Sequence, residues 1–388
     1  MKKRILISLA IIALTAASSW ALFDVHYWGV RALGMGGAFS SVSGDINSQI
    51  YNIAGIANIK NAEVTGMMSK LFSGMDGVDL NDNYIGAAIP LGKSIGVIAA
   101  GWGHFSDPSL RTEDTANFGF ARTLDDLIEA GWVSVMLGVN LKYLSHSTEY
   151  NGTFGAGKLS KSAFAFDAGF IAKFSNGISV GYTGKYLNTP DMVYYKQNGE
   201  DKVSRVDLAG ISYYSEELPL LGLPKFTIAA DYEIRKADNY LIVGAETKII
   251  DGALALRAGG WSQQVNLGLG YELKIGDNGA ALLIDYAFGM PIDMQETYGS
   301  HYISLGYKFG SAAGFASESS DDNSKVKKKN KKEEEYDPAA YLLGNSGSSS
   351  DNSNNSVEEV KPAPSQAVQE DDSDYDPAAY LLGLSENK

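Results

Sequence analysis

The chain has 388 residues, a formal net charge of -14 and no cysteine. The absence of cysteine excludes disulfides, cysteine metal sites, thiol nucleophiles and lipid attachment through an N-terminal cysteine, and it suits a protein that crosses an oxidising periplasm. Three basic residues, Lys2 to Arg4, precede an apolar run, and Ser19 and Ala21 are the small residues that a signal peptidase needs. Residues 1–21 are therefore predicted to be a secretory signal peptide. The alternative, a membrane anchor, needs about 20 apolar residues, more than this run contains.

Residues 22–60 do not alternate between polar and apolar side chains, and they are rich in glycine. The spacing of Gly34, Gly36 and Gly37 does not match the dinucleotide-binding fingerprint, which also needs a preceding strand and a following helix. We therefore interpret this segment as something other than a phosphate loop.

From residue 61 to residue 310 the sequence alternates with a period of two, which indicates β-strands. This pattern predicts about fourteen strands, an even number, as bacterial single-chain barrels require. The predicted strands span residues 62–71, 84–91, 94–105, 116–124, 132–146, 161–174, 178–187, 203–214, 225–235, 240–250, 253–261, 265–275, 280–288 and 301–309.

The alternation places apolar and polar side chains on opposite faces of each strand. Val265, Leu267 and Leu269 share one face of their strand, and Asn266 shares the other with glycines and charged residues. A soluble β-sandwich also alternates, but its strands average about 5 to 6 residues, whereas a tilted strand needs about 9 to 11 to cross a bilayer. Strand length therefore favours a barrel in contact with outer-membrane lipid. The last strand ends at Phe309, like the closing strand of bacterial outer-membrane barrels, which the barrel-insertion machinery recognises.

Connections between the predicted strands alternate in length. The long ones span residues 72–83, 106–115, 147–160, 188–202 and 289–300, while most of the others are tight turns. Because outward loops of such barrels are long and periplasmic turns are short, both the N-terminus and the C-terminal tail are predicted to lie in the periplasm. The connection 215–224 is too long for a periplasmic turn, and residues 236–239 and 262–264 are unexpectedly short for outward loops.

Two motifs in the N-terminal segment, residues 31–42 and residues 49–57, resemble the opening of the FadL and PorV superfamily of outer-membrane proteins. The resemblance implies a fourteen-strand barrel in which residues 22–60 form an N-terminal plug. The motif residues of this plug are Gly34, Gly36, Gly37, Asn52, Ala54 and Gly55. Members of the family usually have proline where this chain has Ile53. A plug is physically reasonable because a fourteen-strand lumen is too wide for its own side chains to fill.

The sequence nominates no catalytic centre, metal site or cofactor site. The four histidines are far apart and show no paired metal-ligand spacing. A Ser-His-acid hydrolase, as in a lipid-modifying outer-membrane enzyme, is a remote alternative for which no residue set stands out. Lumen-facing charges of both signs are predicted to form a solvated or salt-bridged interior. The chain is therefore expected not to be an enzyme and not to bind nucleic acid.

The third predicted strand carries two internal glycines, Gly101 and Gly103. Glycine within a strand weakens pairing and marks bulges and kinks. The resemblance implies a lateral gate here, since FadL-type proteins kink the corresponding strand to open the wall toward lipid. The alternative is that the two glycines accommodate Trp102 or the plug.

Two functions follow from these features. The first is passage of hydrophobic, fatty-acid-like small molecules across the outer membrane, suggested by the plug resemblance and the glycine-interrupted strand. The second is a non-transporting, PorV-like component of a secretion or envelope complex, suggested by the missing proline and by the C-terminal tail.

The tail, residues 311–388, has 8 lysines against 16 acidic residues, so 8 - 16 leaves a charge of -8. Few apolar residues remain to build a core, which predicts a disordered periplasmic tail. Nine residues, YDPAAYLLG, occur at 336–344 and again, letter for letter, at 375–383. In each copy Asp precedes Pro at a helix start and Gly ends the helix, so each predicts a short helix that folds in a partner's groove. The anchor residues are Tyr336, Asp337, Pro338, Tyr341, Leu342, Leu343, Tyr375, Asp376, Pro377, Tyr380, Leu381 and Leu382. The expected partner is a periplasmic or secretion-complex protein; the alternative is a duplication without function.

Overall fold

The computed structural model describes residues 27–77, 79–108, 111–128, 130–152, 155–194, 200–218, 222–236, 238–294 and 296–310. The predicted signal peptide and the predicted tail, with both copies of YDPAAYLLG, lie outside the described residues. The first described residues contain the short helices α1 (Val30–Gly34) and α2 (Ser48–Tyr51) and a 3-10 helix (Ile53–Asn58). Another short helix, α3 (Asp125–Ile128), lies between two strands and was not predicted from the sequence.

Fourteen antiparallel strands form a closed barrel in which each strand pairs with its neighbours in sequence and the first pairs with the last. The predicted strand number and barrel class are confirmed. The strands are β1 (Glu63–Lys70), β2 (Asn81–Gly92), β3 (Gly96–Asp107), β4 (Arg111–Thr123), β5 (Val133–Gly152), β6 (Gly155–Phe174), β7 (Ile178–Lys185), β8 (Val206–Leu218), β9 (Leu223–Ile234), β10 (Asn239–Ile249), β11 (Leu254–Trp261), β12 (Gln264–Ile275), β13 (Ala280–Pro291) and β14 (Ser300–Lys308).

Several strands extend beyond their predicted ends. Most of the loops predicted at 106–115 and 147–160 belong to the strand pairs β3–β4 and β5–β6. The connection predicted at 215–224 is also mostly strand, because β8 and β9 pair as far as Leu218 and Leu223. These loop predictions were wrong because the alternation of apolar residues fades there while backbone pairing continues.

We name the two ends of the barrel after the lengths predicted for their connections. At one end, the long-loop end, lie the connections β1–β2, β3–β4, β5–β6, β7–β8, β9–β10, β11–β12 and β13–β14. At the other, the short-turn end, lie the remaining connections, the start of β1 and the end of β14.

The outer face of the barrel is apolar. On β12, Leu267 and Leu269 are 56% and 51% exposed, while Asn266 between neighbouring apolar residues is fully buried. The same alternation on β5, β6 and β14 confirms the predicted faces. A band of exposed apolar side chains that encircles closed strands is the surface that hydrocarbon chains of a bilayer require. Within the described residues, no helix is long and apolar enough to cross a membrane.

Residues 27–60 lie inside the barrel, against inward-facing residues of most strands. Several inward-facing glycines approach this segment so closely that a Cβ atom would collide with it. At Gly181 and Gly244 such an atom would lie 2.2 Å from the carbonyl oxygens of Ser40 and Met35. We call this set the glycine belt; its members are Gly103, Gly119, Gly138, Gly169, Gly181, Gly210, Gly244, Gly259 and Gly268.

The segment runs along the lumen rather than staying at one end. Tyr27 contacts Glu233, Arg235 and Trp261, which lie at the long-loop ends of β9 and β11, whereas β1 begins at the short-turn end. Tyr27 therefore lies near the long-loop end. The prediction that the N-terminus and the tail are both periplasmic falls on residues outside the described part and stays a prediction. The chain has already crossed the lumen when β1 starts.

Candidate functional site

A chain of buried ion pairs joins the N-terminal segment to the barrel wall. Arg31 on α1 binds both carboxylate oxygens of Glu246 on β10, at 2.9 and 2.7 Å, and Asp45 of its own segment at 2.5 Å. Glu246 also accepts from Arg257 on β11 at 2.7 Å, and Arg257 binds Asp285 on β13 at 2.6 Å. The network therefore fixes the segment to three strands on one side of the lumen.

Charge pairing keeps Arg31 ionised inside the lumen. Burial by itself lowers the pKa of the Arg31 guanidinium, but Glu246 and Asp45 more than offset this effect, so the pKa lies well above its ordinary value. A buried arginine with two carboxylate partners is costly to separate from either of them. The network was missed from the sequence, because Arg31 and Glu246 are 215 residues apart.

Aromatic side chains fill the lumen between this network and the long-loop end. Trp28 stacks on Tyr84 with ring centroids 5.6 Å apart and donates to Asp82 at 2.5 Å. Tyr27 stacks on Tyr51 at 5.7 Å and donates to Glu233. Burial, together with the Glu233 carboxylate, raises the pKa of the Tyr27 hydroxyl well above its ordinary value, so the hydroxyl stays protonated as a donor.

The predicted motif glycines at 34, 36 and 37 lie where α1 ends against the wall. A Cβ at Gly34 would lie 3.0 Å from the Cα of Gly268 on β12. Gly36 has a φ of 68°, and a Cβ there would lie 2.1 Å from the backbone nitrogen of Gly260. Gly37 also has a positive φ, of 90°, but a Cβ there would make an ordinary contact, 3.7 Å from the Tyr51 ring. At Gly34 and Gly36 the backbone of the N-terminal segment thus lies so close to the backbone of the wall that glycine is required.

The second part of the motif reaches the opposite wall. Asn52 begins the 3-10 helix by accepting from the backbone N–H of Ala54 at 3.2 Å, and its amide donates to the carbonyl of Phe170 on β6 at 3.0 Å. A Cβ on Gly138 would lie 2.7 Å from the backbone nitrogen of Ala54. A Cβ on Gly55 would lie 2.8 Å from the side chain of Ser48. Ile53, in place of the family's proline, packs into the space left by Gly119 on β4.

The two lateral-gate candidates face the lumen in a closed part of the wall. β3 pairs without interruption with β4 from Val97 to Asp107, and with β2 from Val97 to Ser106. A Cβ on Gly101 would collide with the hydroxyl of Tyr84, and one on Gly103 with the ring of Trp28. Both glycines make room for lumen aromatics here, and a gate at this position stays a prediction.

A polar cavity of about 480 Å³ lies at the short-turn end of the lumen. Arg31 and Glu246 form part of its inner wall, and Ser179, Ser212 and Thr227 line its sides. Four lysines from four strands contribute to the lining: Lys173, Lys225, Lys248 and Lys274. We call this cavity the vestibule. Four acidic residues, Glu216, Glu246, Asp251 and Glu272, also line it, so the vestibule is a polar cavity with charges of both signs.

An apolar cluster lies in the lumen toward the long-loop end. Leu144 on β5, Ala165 on β6 and Leu208 on β8 are fully buried, and two residues of the β7–β8 connection, Met192 and Val203, pack against them without any exposure. Tyr186 and Val206 complete the set. We call these seven residues the apolar cluster. The sequence analysis missed it because Met192 belongs to a predicted outward loop, and nothing in the sequence shows that this residue folds back into the lumen.

A neutralised charge pair lies beneath the apolar cluster. Lys142 and Asp167 are 2.7 Å apart and about equally buried. The Lys142 ammonium also lies 4.4 Å from the centre of the Tyr186 ring, and the backbone N–H of Tyr186 donates to Asp167 at 2.9 Å. Lys142 and the Asp167 carboxylate thus hold Tyr186 in place at the edge of the cluster.

Three of the four histidines lie in the described part of the chain, each with a different partner. His104 contacts Asp114, His146 contacts Tyr194 and His301 contacts Tyr286. Among the described residues, no group of three or more histidine, aspartate or glutamate side chains could hold a metal ion.

Solved structures of transport proteins share this architecture. CymD, a monoaromatic hydrocarbon channel, is 12% identical, with a TM-score of 0.51 over 75% of this chain and 99% of that one. The chain therefore shares its barrel fold with this channel. The toluene transporter TbuX of Ralstonia pickettii is 11% identical over 75% of this chain and 100% of that one, with a TM-score of 0.49. A FadL homologue of Pseudomonas aeruginosa is 11% identical over 73% and 98%, with a TM-score of 0.46.

At such low identity the similarity concerns the FadL-type fold alone. It bears out the barrel that the resemblance implied, and such a fold implies the bacterial outer membrane. No protein-family model matches the sequence. No curated protein matches it either.

Proposed function

We propose that this chain forms a barrel through which hydrophobic small molecules pass the outer membrane. The observation that carries the proposal is the apolar cluster, a buried hydrocarbon-like environment inside the lumen to which the β7–β8 connection contributes Met192 and Val203. A lumen that passed only polar solutes would have no use for such a cluster, since burying apolar side chains favours apolar ligands. The FadL-type fold, shared with a hydrocarbon channel, supports the same function.

In this proposal residues 27–60 are the plug. As the plug they restrict the passage of water-soluble compounds, because the glycine belt holds their backbone against the wall and the Arg31 network fixes them to β10, β11 and β13. Gly34, Gly36, Asn52 and Ala54 serve by fitting the wall, and no catalytic role is assigned to them.

The vestibule is the exit in this proposal, with the short-turn end in the periplasm. Its lysines can bind a carboxylate, which is why fatty-acid-like molecules belong to the proposed substrates beside uncharged hydrocarbons. Replacing the vestibule lysines distinguishes the two substrate classes. It is expected to slow the transport of a fatty acid and to leave the transport of toluene unchanged.

Uptake by whole cells tests the proposal. A Gram-negative host that lacks its own barrels for hydrophobic compounds is given the full chain, and uptake of radiolabelled toluene, hexadecanoate and a hydrophilic sugar is measured. We expect faster uptake of at least one hydrophobic compound than in host cells with the empty vector, and no change for the sugar. Variant Leu269→Ala, on the lipid-facing side of β12, controls for barrel insertion. If neither hydrophobic compound enters faster although the barrel is folded, transport is excluded.

A second candidate function, a non-transporting component of a secretion or envelope complex, is favoured by the repeated YDPAAYLLG sequence. We propose that both copies dock one periplasmic protein, with two sites raising avidity. Replacing Leu342, Leu343, Leu381 and Leu382 with Ala is expected to abolish that docking while the barrel still assembles. Recovery of the same crosslinked partners from wild type and variant would show that the repeats do not dock.

A further inference from the structure

Strands β2 to β6 change from apolar to polar on their outer face before they end. On β3, Trp102 is 49% exposed, and His104 follows it on the same face, toward the long-loop end. On β5, Tyr143 is 40% exposed, and Ser145 follows it in the same way. Strand pairing continues past these positions, on β5 as far as Gly152. This part of the wall therefore rises beyond its own apolar band.

The register of these strands joins their first polar residues in one row. Asn83 lies opposite His104, and His104 lies opposite Asp114. Asp114 in turn lies opposite Ser145, and Ser145 opposite Ser162. The next outward positions form a second row: Asn81, Ser106, Thr112, Ser147 and Ser160. We call these two rows the polar face; it begins on each strand where the exposed apolar side chains end.

Asp114 is the centre of a hydrogen-bonded group on the polar face. Its Oδ1 accepts from the indole N–H of Trp102 at 3.2 Å and lies 2.8 Å from Nδ1 of His104. The side chains of His104 and Asp114 are 31% and 36% exposed, and the ring centres of Trp102 and His104 are 5.6 Å apart. An exposed aromatic surface therefore lies beside a carboxylate that can accept further hydrogen bonds.

The charge of the polar face distinguishes between kinds of head group. Neither row contains lysine or arginine, and the outward pair beyond them, Glu149 and Lys158, carries opposite charges. Phosphate groups are bound mainly by arginine and lysine, so the polar face offers them no counter-charge. The hydroxyls of a sugar donate and accept hydrogen bonds, as do serine, threonine and asparagine side chains. The apolar side of a sugar ring also packs well against an aromatic ring.

We propose that the polar face binds the saccharide head groups of glycolipids in the outer leaflet. The inference takes from the proposed function only the orientation of the barrel, with the long-loop end outside the cell, and it concerns a ligand other than the transported molecule. The polar face continues the lipid-facing surface of the same strands. The groups that lie against it are therefore the head groups of those lipids whose chains pack against Trp102 and Phe164.

Lipid retention by the full chain tests the inference. The protein is reconstituted into nanodiscs of phosphatidylcholine that contain digalactosyl diacylglycerol and phosphatidylglycerol in equal amounts, all with the same acyl chains. Native mass spectrometry then counts the lipids that stay on the released barrel. We expect the galactolipid to exceed phosphatidylglycerol by at least about fivefold, since a few hydrogen bonds to the sugars account for a factor of that size.

Paired substitutions separate the polar face from the rest of the barrel. Asp114→Ala with Ser145→Ala removes adjoining hydrogen-bonding groups, and the excess of galactolipid should fall below about twofold. The matched control is Asp125→Ala with Ser134→Ala, an exposed, hydrogen-bonded pair at the short-turn end, which should keep the wild-type ratio. Ser145→Lys with Ser162→Lys supplies the missing cations and should invert the ratio in favour of phosphatidylglycerol. Heat-modifiable migration on gels shows that each variant is folded.

The other outcomes overturn the inference. Equal retention of the two lipids by wild type would mean that the polar face has no preference for sugars, and an excess of phosphatidylglycerol would mean that it binds phosphate. An excess of galactolipid that persists in the variant of Asp114 and Ser145 would mean that the sugar binds elsewhere. Uptake enters none of these measurements, so the inference and the proposed transport function fail separately.

Discussion

The two ends of the lumen are closed by different kinds of interaction. Toward the short-turn end, Arg31 fixes the N-terminal segment through buried charges to Glu246 and, through Arg257, to Asp285. Toward the long-loop end, Met192 and Val203 rest on apolar side chains. Separating buried charges leaves each without a partner, whereas an apolar contact can be replaced by any molecule of similar polarity. The difference indicates which part of the lumen filling is permanent and which part a substrate can displace.

The largest effect is expected when the charged attachment is broken. Arg31→Ala leaves Asp45 without its partner and Glu246 with only Arg257, at a cost of about 3 to 5 kcal/mol. Proteolysis of residues 27–60 in the folded barrel should become much faster. Arg122→Ala, which removes an exposed ion pair with Asp126, is the matched control and should cost less than about 1 kcal/mol. Equal protease resistance of both variants would contradict the anchoring role of Arg31.

Backbone contact between the segment and the wall gives the next effect. Gly36→Ala combines a left-handed backbone with a Cβ placed 2.1 Å from the nitrogen of Gly260, so we expect a loss of about 2 to 4 kcal/mol. Gly37→Ala has the same kind of backbone strain but 3.7 Å to its nearest neighbour, and about 1 to 2 kcal/mol is expected. Denaturant unfolding in detergent compares the two. A larger loss for Gly37→Ala would show that backbone strain, rather than wall contact, limits the fit.

Mutation of the apolar cluster should change stability only locally. Met192→Ala leaves a cavity in the apolar cluster and is expected to favour opening of the β7–β8 connection by about 2 kcal/mol, while the unfolding of the barrel stays unchanged. Hydrogen exchange at Met192 and Val203, whose N–H groups bond within the connection, reports the opening. The control is hydrogen exchange at the same residues in the variant Leu187→Ala, which changes an exposed side chain. Loss of barrel stability equal to the local effect would mean that the cluster belongs to the structural core.

The smallest effect concerns Asp191 in the same connection. Its carboxylate accepts from the N–H groups of Val193 and Asp201, both at 3.0 Å, and these bonds lower its pKa below the ordinary value. A lowered pKa means that the stabilisation is present above the ordinary carboxylate pKa of about 4 and is lost as the pH falls through the folded-state pKa. Protection of residues 200–203 against hydrogen exchange, taken relative to the intrinsic exchange rate at each pH, should therefore decrease as the pH falls from about 5 to about 3 in wild type, and much less in Asp191→Asn. An equal pH response in both proteins would assign the change to another group.

The barrel could be predicted from the sequence because lipid imposes its own periodicity. Each membrane-facing position of β12 or β5 must be apolar, so the alternation is visible in a single strand. The alternation of apolar residues ends beyond the membrane, where the outward positions of β6 are Ser162, Ser160 and Lys158. In this part of the sequence nothing distinguishes a paired strand from a loop.

The lumen was less predictable because its contacts join distant parts of the chain. Neither Arg31 nor Glu246 signals the other, and Gly103 looks the same in sequence whether it bends a strand or makes room for Trp28. A signal was present nonetheless: inward positions of strand after strand are glycine, which indicates that a backbone passes close to the wall there.

Pairing of β1 with β14 has a consequence for the order of assembly. Glu63 lies opposite Lys308, so the ring can be completed only after the last strand has been delivered to the membrane. Residues 27–60 precede every strand in the chain and touch walls from β3 to β13. The finished ring therefore encloses a segment that is synthesised before any strand, and the diameter that fourteen strands set has to match the width of that segment.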